Sequence, residues 1–457
     1  MRIGLLRGMR LCAQYRKMDE TQRVALQKSR LREMVEYARA NSPLYQELYR
    51  NLPENWTLDD LPPVNKRELM ARFDEWPTDR SVRLDDLNEY MRDLDHVGRK
   101  FHGKYLVFTT SGSTGNPLVA LCDDTTNNVM GAVNTMRSIT RAEDLRALML
   151  RGGKTIGVFA TGGFYLSNSS IRARLLAMPW KKRQMALTSA LLPTDEIVAR
   201  LNAFQPAMLG GYPSQLDLLV DEQKSGRLKI KPVLIMTGGE YLSEQVRTRL
   251  SEAFDCYVQT SYSCTEAGTI ACECTEHHFH INEDWVLVEP VDAENRPVPD
   301  GTQSDKILVT NLFNFTQPFL RYEITDRVVR HSERCACGNP LPWLTLEGRT
   351  DDVLTFSVDG GSVKVAPLSI YAVLKEVHAM KRFQLLAYPG NQLELRLEPA
   401  EEIARSDAFE QAKQALLGFL ATQGVNNVML TLSQDAPKQQ AGSGKFKHIV
   451  QMESQSK

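Results

Sequence analysis

The chain has 457 residues, 42% of them hydrophobic, which is too long for one ordinary core and suits two or three domains. Its 55 Lys and Arg against 56 Asp and Glu leave a formal charge of -1, a balance that favours neither a nucleic acid nor a membrane surface as partner and fits a small-molecule enzyme better. No stretch approaches the roughly 20 apolar residues needed to span a bilayer, and a chain of this size is not a small disulfide-stapled scaffold.

Met1 to Arg10 looks superficially like a basic targeting region, but Arg7 and Arg10 interrupt any apolar core and no small-residue cleavage pattern follows. The expectation is a cytoplasmic protein. From about 20 to 50 the pattern is helical: Leu31, Met34, Val35 and Ala38 share one face, and Ser42-Pro43 ends the run. From Tyr105 onward, short apolar runs alternate with helical ones, among them Tyr105 to Phe108, Thr155 to Phe159 and Val233 to Met236. The last enters Thr237-Gly238-Gly239 and a helix that Ser243 can cap. Such alternation predicts an α/β body with largely parallel sheets.

After Gly348-Arg349-Thr350-Asp351-Asp352 the style changes. Val353 to Pro367 reads as a hairpin turning at Asp359-Gly360-Gly361, and Phe383 to Leu397 as another turning at Pro389-Gly390-Asn391. A helix carrying Phe409, Leu416, Leu417 and Leu420 follows, then a strand from Val428 to Leu432. The expected organisation is a large multi-sheet N-terminal domain over 1–348 and a small mobile α+β C-terminal domain over 349–457. There is no internal repeat, and the flexible low-complexity stretch is Gln439 to Gly444.

Thr109-Thr110-Ser111-Gly112-Ser113-Thr114-Gly115-Asn116-Pro117 follows an apolar run directly. Its glycines permit backbone conformations closed to other residues, and its amides and hydroxyls suit a polyphosphate. Taken alone, such clusters are more often ordinary loops, and the Gly-Lys-Ser/Thr of a P-loop is missing. Four further stretches follow in order: Tyr262-Ser263-Cys264-Thr265-Glu266, Arg321-Tyr322-Glu323-Ile324-Thr325-Asp326, Gly348 to Asp352, and Gly442-Ser443-Gly444-Lys445. Together with Thr110 to Pro117 they resemble the phosphate loop, Tyr-Gly-x-Thr-Glu segment, ribose segment, hinge and catalytic-lysine segment of the adenylate-forming superfamily. That superfamily comprises acyl-CoA synthetases, luciferases and adenylation domains. The set spans about three quarters of the chain and is far more specific than any member of it. Leu118 after the proline, Gly211-Tyr212-Pro213-Ser214 and Thr310-Asn311-Leu312 resemble the phenylacetate-CoA ligase branch; Ser263 departs from the usual glycine.

The resemblance implies ATP-dependent activation of a carboxylic acid as acyl-AMP, then transfer to an acceptor, with coenzyme A the first choice and an amine or alcohol the alternative. A carboxylate attacking the α-phosphate meets charge repulsion, so the site needs a cation and preorganised donors. Glu266 is implied to hold Mg²⁺, with the Thr265 hydroxyl toward the α-phosphate. Thr110, Ser111, Gly112, Ser113, Thr114, Gly115, Gly239, Glu240 and Tyr262 are implied to border the nucleotide. Asp326 suits both ribose hydroxyls, Arg349 ribose or phosphate, and Asp351 or Asp352 the hinge. Read singly, these would be an acidic loop, a turn residue and a surface ion pair of little worth. Lys445 is a point charge on a flexible stem that can enter a closed site and withdraw with its domain, with Lys447 its neighbouring competitor. Phe164, Tyr165 and Tyr212 are expected to line a pocket for an aromatic acid.

The chain has eight cysteines. Four of them form two Cys-x-Cys pairs, Cys272/Cys274 and Cys335/Cys337, a clustering that points to a metal before a disulfide framework. Cys274, His280, Cys335 and Cys337 offer the Cys₃His set of a closed structural zinc site. Cys272, His277 and His278 crowd the same region, and buried reduced thiols beside exposed histidines are the alternative. Such a zinc is expected to brace the loops around Glu266 and Asp326. Two readings of other classes compete: a nucleotide-binding protein without catalysis, and a zinc-dependent interaction module.

Overall fold

The computed structural model describes residues 3–110, 117–349, 354–359, 361–365, 367–439 and 446–452. The helical run near the N-terminus divides at Ser42-Pro43 into helices Glu20–Asn41 and Pro43–Leu48. Asp19 and Gln22 close a capping box at the start of the first. Its buried face is Leu31, Met34, Val35 and Ala38, the stripe expected from the spacing. No described helix is long and apolar enough to cross a membrane.

Strands β1 (Leu106–Thr109) and β2 (Val119–Cys122) flank the Ser/Thr/Gly loop. They pair antiparallel as a two-stranded sheet, Leu106 facing Cys122 and Thr109 facing Val119. Tyr105 to Phe108 therefore does not join the parallel sheet, contrary to what the run of alternating elements suggested. The parallel strands are β3 (Thr155–Phe159), β4 (Met185–Ser189), β5 (Met208–Gly211), β6 (Leu234–Gly238) and, paired with β6, β7 (Tyr257–Cys264). Antiparallel pairing begins after β7, with β8 (Gly268–Glu273) and β9 (Phe279–Ile281). Strands β10 (Val286–Val291), β11 (Lys306–Asn311) and β12 (Tyr322–Ile324) make a separate antiparallel sheet. With β13 (Asp326–His331) and β14 (Trp343–Arg349), the main sheet has nine strands in the order β13-β14-β9-β8-β7-β6-β5-β3-β4. The helices Thr194–Phe204, Pro213–Lys224 and Glu244–Phe254 alternate with its parallel strands. Between them lies a core that includes Ile156, Val158, Leu209, Leu216, Ile235 and Leu250, each worth about 1.5–3 kcal/mol when taken fully from water.

The contacts divide the chain into two compact units, the first through Thr345 and the second from Leu346 onward, with Thr325–Val328 assigned to the second. The second unit begins with the hairpin β15 (Leu354–Val358) and β16 (Gly361–Val365), in register Val358 with Gly361. Its main sheet holds β17 (Met380–Tyr388), β18 (Gln392–Pro399), β19 (Met429–Leu432) and β20 (Ile449–Gln451). The turn between β17 and β18 places Gly390 and Asn391 at φ +78 and +57, a region that Asn tolerates better than most residues. Asn391 also binds β15, accepting from Ser357 N at 2.8 Å and donating to Ser357 O at 2.7 Å. The helix Arg405–Thr422 lays Ala408, Ala412, Leu416 and Leu420 on the sheet.

Candidate active site and metal centre

Strands β7 and β8 are joined by Thr265-Glu266-Ala267, with Cys264 opposite Gly268. Gly268 has φ +67, where a side chain would be strained and its Cβ would press Met130 at 3.1 Å. The Cys264 sulfur closes the turn by accepting from Ala267 N at 3.3 Å. Burial, and then the Glu266 carboxylate, hold that thiol well above its ordinary pKa. Ser263 sits at a register shift, and its hydroxyl lies 3.4 Å from that of Thr269, so this position accepts a serine. Glu266 is buried and Thr265 half-buried.

Three buried amides connect this turn to the hairpin that carries the Ser/Thr/Gly loop. Asn311 Nδ2 donates to Glu266 O at 3.0 Å, while its Oδ1 accepts from Phe313 N and Asn314 N, both at 2.9 Å. Asn314 Nδ2 donates to Leu121 O at 3.0 Å, and its Oδ1 accepts from Gln317 N at 3.1 Å. Gln317 completes the chain by accepting from Leu121 N at 2.7 Å and donating to Val119 O at 3.1 Å. Thr110 holds the other side of the loop: its N–H donates to Leu118 O at 3.1 Å and its Oγ1 accepts from Leu118 N at 2.9 Å. The loop's flank and the Glu266 turn are thus one hydrogen-bonded body, since a buried amide left unpaired is costly. Asn314 and Gln317 carry no motif. The signal they leave is an amide every third residue from Asn311 to Gln317 in a stretch between strands.

The other expected nucleotide residues divide three ways. Gly239 follows β6 at φ +79. Glu240 Oε2 accepts from Ser214 N at 3.1 Å, at the start of helix Pro213–Lys224. Tyr262 is buried in β7, and Asp326 opens β13 half-buried. Arg321, in the ribose-like segment, is an internal brace: at φ +47 it pairs with Glu289 at 2.9 Å and donates to Leu61 O at 2.7 Å. Tyr165 packs against the core cluster that contains Tyr212, and burial pushes the Tyr212 phenol up to about 12. Phe164 turns to Tyr90 instead, ring centres 6.0 Å apart. Ser111, Gly112, Ser113, Thr114, Gly115, Asp351, Asp352 and Lys445 lie outside the described residues, and Arg349 is described as the last residue of β14.

Cys274, His280, Cys335 and Cys337 converge, each with one ligand atom, all such atoms within 4.8 Å of one another. Cys274 follows β8, His280 lies in β9, and the Cys335/Cys337 pair lies between β13 and β14. The Cys274 and Cys335 sulfurs are 3.8 Å apart, matching the edge of about 3.8 Å for a tetrahedron with Zn–S bonds of about 2.3 Å. His280 Nδ1 donates to Leu341 O at 2.8 Å, which leaves Nε2, 3.2 Å from Cys337 Sγ, as the ligand atom. Burial pushes the Cys274 thiol up to about 12.

Two of the three competing residues are engaged elsewhere. Cys272 Sγ faces Asn282 Nδ2 at 3.8 Å, and His277 Nδ1 lies 3.4 Å from Glu273. His278 Nδ1 approaches Cys335 Sγ at 3.3 Å while its ring stacks on Trp343, whose other face carries His331. This donor set fits zinc. Its place corrects one expectation: the six residues of β8 separate it from Glu266, roughly 20 Å at 3.3 Å per residue. The cluster therefore ties strand ends remote from the Glu266 turn.

No family model matches the chain. Among curated proteins it is similar to Protein CapK of Staphylococcus aureus, 23% identical over 316 residues, which is 67% of this chain and 63% of that relative. Among solved structures it is similar to 2-hydroxyisobutyryl-CoA ligase in the postadenylation state in complex with 2-HIB-AMP. That match has a TM-score of 0.67 and 20% identity, and covers 95% of this chain and 90% of the other. The same ligase with 2-HIB-AMP and CoA in the thioesterification state matches with a TM-score of 0.56 over the same shares at 20% identity. The chain has the fold of the adenylate-forming acyl-CoA ligases.

Proposed function

We propose that the protein activates a carboxylic acid with ATP and passes the acyl group to coenzyme A. In the first step an oxygen of the acid attacks the α-phosphorus, the bond to the β-phosphate oxygen breaks, and pyrophosphate leaves with its electron pair. In the second step the coenzyme A sulfur attacks the acyl carbon of the mixed anhydride, AMP departs and the thiol proton is released. The observation that carries this reading is the amide chain from Val119 and Leu121 to Glu266. It holds the flank of a loop suited to phosphates against a turn that presents a buried carboxylate, the preorganisation that phosphoryl chemistry needs.

In this reading Thr110 to Gly115 grip the phosphates, with Gly239, Glu240 and Tyr262 bordering the nucleotide. Glu266 holds Mg²⁺, which neutralises charge on the transferring group, and Thr265 orients the α-phosphate. Asp326 takes the ribose hydroxyls and Arg349 ribose or phosphate. Residues 349–457 form a mobile domain hinged at Asp351 or Asp352 that brings Lys445 to the first step and removes it for the second. Zinc at Cys274, His280, Cys335 and Cys337 is structural. Resemblance to the phenylacetate-CoA ligase branch and the Tyr165 and Tyr212 rings support an aromatic acid, and the N-terminal sequence, which lacks a signal-peptide pattern, supports a cytoplasmic site of action. The test is to incubate the protein with ATP, Mg²⁺, coenzyme A and a panel of aryl, alkenyl and aliphatic acids, and to read thioester by mass spectrometry. Stoichiometric AMP and thioester with an aryl acid is the expected result. Adenylate without thioester would remove coenzyme A as the acceptor.

A further inference from the structure

From Leu145 to Thr194 the chain has eight lysines and arginines and no acidic residue. The near-neutral balance of the whole molecule conceals this segment. Five of the eight, Arg172, Arg174, Lys181, Lys182 and Arg183, fall on the helix Leu166–Ala177 and the 3₁₀ turn Pro179–Arg183 that follows it. The inner side of the helix is anchored: Asn168 and Ser169 are buried, and Asn168 Nδ2 donates to Thr161 O at 2.9 Å and Gly163 O at 2.7 Å. Gly98 packs so closely on Arg172 and Ala173 that a Cβ there would lie 2.6 Å from both. At the end of the helix Leu176 is 52% exposed, and in the turn that follows Trp180 is 71% exposed. None of the five cations has an ion-pair partner among the described residues.

We infer that this face docks on an anionic lipid surface. Trp180 and Leu176 would enter the boundary between headgroups and acyl chains, where an indole is favoured, and Arg174, Lys181, Lys182 and Arg183 would meet lipid phosphates and carboxylates. Charge complementarity supplies the argument, because a segment with four unpaired cations clear of the packed side of the helix, and no carboxylate of its own, attracts anionic headgroups. A single-stranded nucleic acid answers the cations equally well, but it requires successive stacking platforms along a track, and Trp180 is the single aromatic ring on these two elements. Such docking is reversible and weakens with salt, since exposed charges are screened beyond about 8 Å at physiological ionic strength.

The test uses the full chain and sedimentation with vesicles of phosphatidylcholine, either pure or with about 30% phosphatidylserine. Binding to the anionic vesicles, falling as salt rises and absent on pure phosphatidylcholine, is expected. The double variant Lys182→Glu/Arg183→Glu should lower the partition coefficient by at least about tenfold while leaving thermal unfolding unchanged. Brominated phosphatidylcholine in the anionic vesicles should quench the tryptophan emission of the unmodified protein, and Trp180→Phe should remove that quenching. No partition at low salt, equal partition onto neutral vesicles, quenching that survives Trp180→Phe, or a preference for single-stranded DNA over anionic vesicles would each overturn the inference.

Discussion

Asn311 makes three hydrogen bonds through one side chain, to Glu266 O, Phe313 N and Asn314 N. Truncating it leaves buried groups without partners, each costing about 1–3 kcal/mol. Asn311→Ala should therefore lower unfolding free energy by about 2–4 kcal/mol in denaturant titration. It should also depress adenylation in the fraction that remains folded, because the Glu266 turn loses its tether. A loss of stability with full adenylation would show the amide chain to be a brace and nothing more. The metal set is tested equally directly. Protein purified without an affinity tag should contain about one zinc per chain, as a closed four-ligand site binds it, and less than a tenth of an equivalent would sink that assignment. Since the cluster lies the length of β8 away from Glu266, Cys335→Ser should reduce thermal stability much more than it alters turnover of the folded remainder.

Among the elements, legibility followed periodicity. The stripe Leu31, Met34, Val35 and Ala38 and the turn at Pro389-Gly390-Asn391 stand where the sequence pattern put them, because a helical period and a positive-φ turn are local properties. Of the parallel strands, β3 and β6 were readable as apolar runs, whereas β4 and β5 were not read. Strand β1 was not: a four-residue apolar run does not say whether its partner is parallel or antiparallel, and Val119 to Cys122 decides it. The Cys₃His set could be named from the sequence, but Cys272 shares a strand face with Cys274, and what separates them is the end of β8 at Glu273 and the contact of Cys272 with Asn282. Asn314 and Gln317 were illegible because their partners lie about 200 residues away, at Val119 and Leu121.

Strand β20 carries a further measurable consequence. Its preceding residue, His448, is half-buried and packs against Tyr371, Phe383 and Phe446, and its Nδ1 donates to Phe383 O at 3.1 Å. Burial pulls the imidazole down to about 4 from an ordinary 6.5. The unfolded segment then binds the proton first as pH falls, so the stability that His448 supports is complete above about 6.5 and is lost progressively toward 4. The loss is on the order of 3 kcal/mol over that window. Hydrogen exchange of peptides from Met380–Tyr388 should accelerate between pH 6.5 and 4, after correction for intrinsic rates, and His448→Gln should flatten the dependence. An unchanged profile in the variant would contradict it.

For the whole molecule, the proposal of a C-terminal domain that serves one step and then leaves predicts a division between half-reactions. Lys445→Ala should slow product formation from ATP and free acid by roughly 10²–10³, the scale of one lost electrostatic donor. Given synthetic acyl-adenylate and coenzyme A, the same variant should work near the normal rate. Equal loss in both would point to damage of the whole C-terminal unit, and no loss would move the assignment to Lys447. The central claim, that this fold forms an acyl-adenylate, is tested most directly by the return of labelled pyrophosphate into ATP. The account predicts exchange that depends on an added acid and on Mg²⁺ and is depressed by Glu266→Gln. Folded, metal-replete protein that shows no exchange with aryl, alkenyl or aliphatic acids would contradict it.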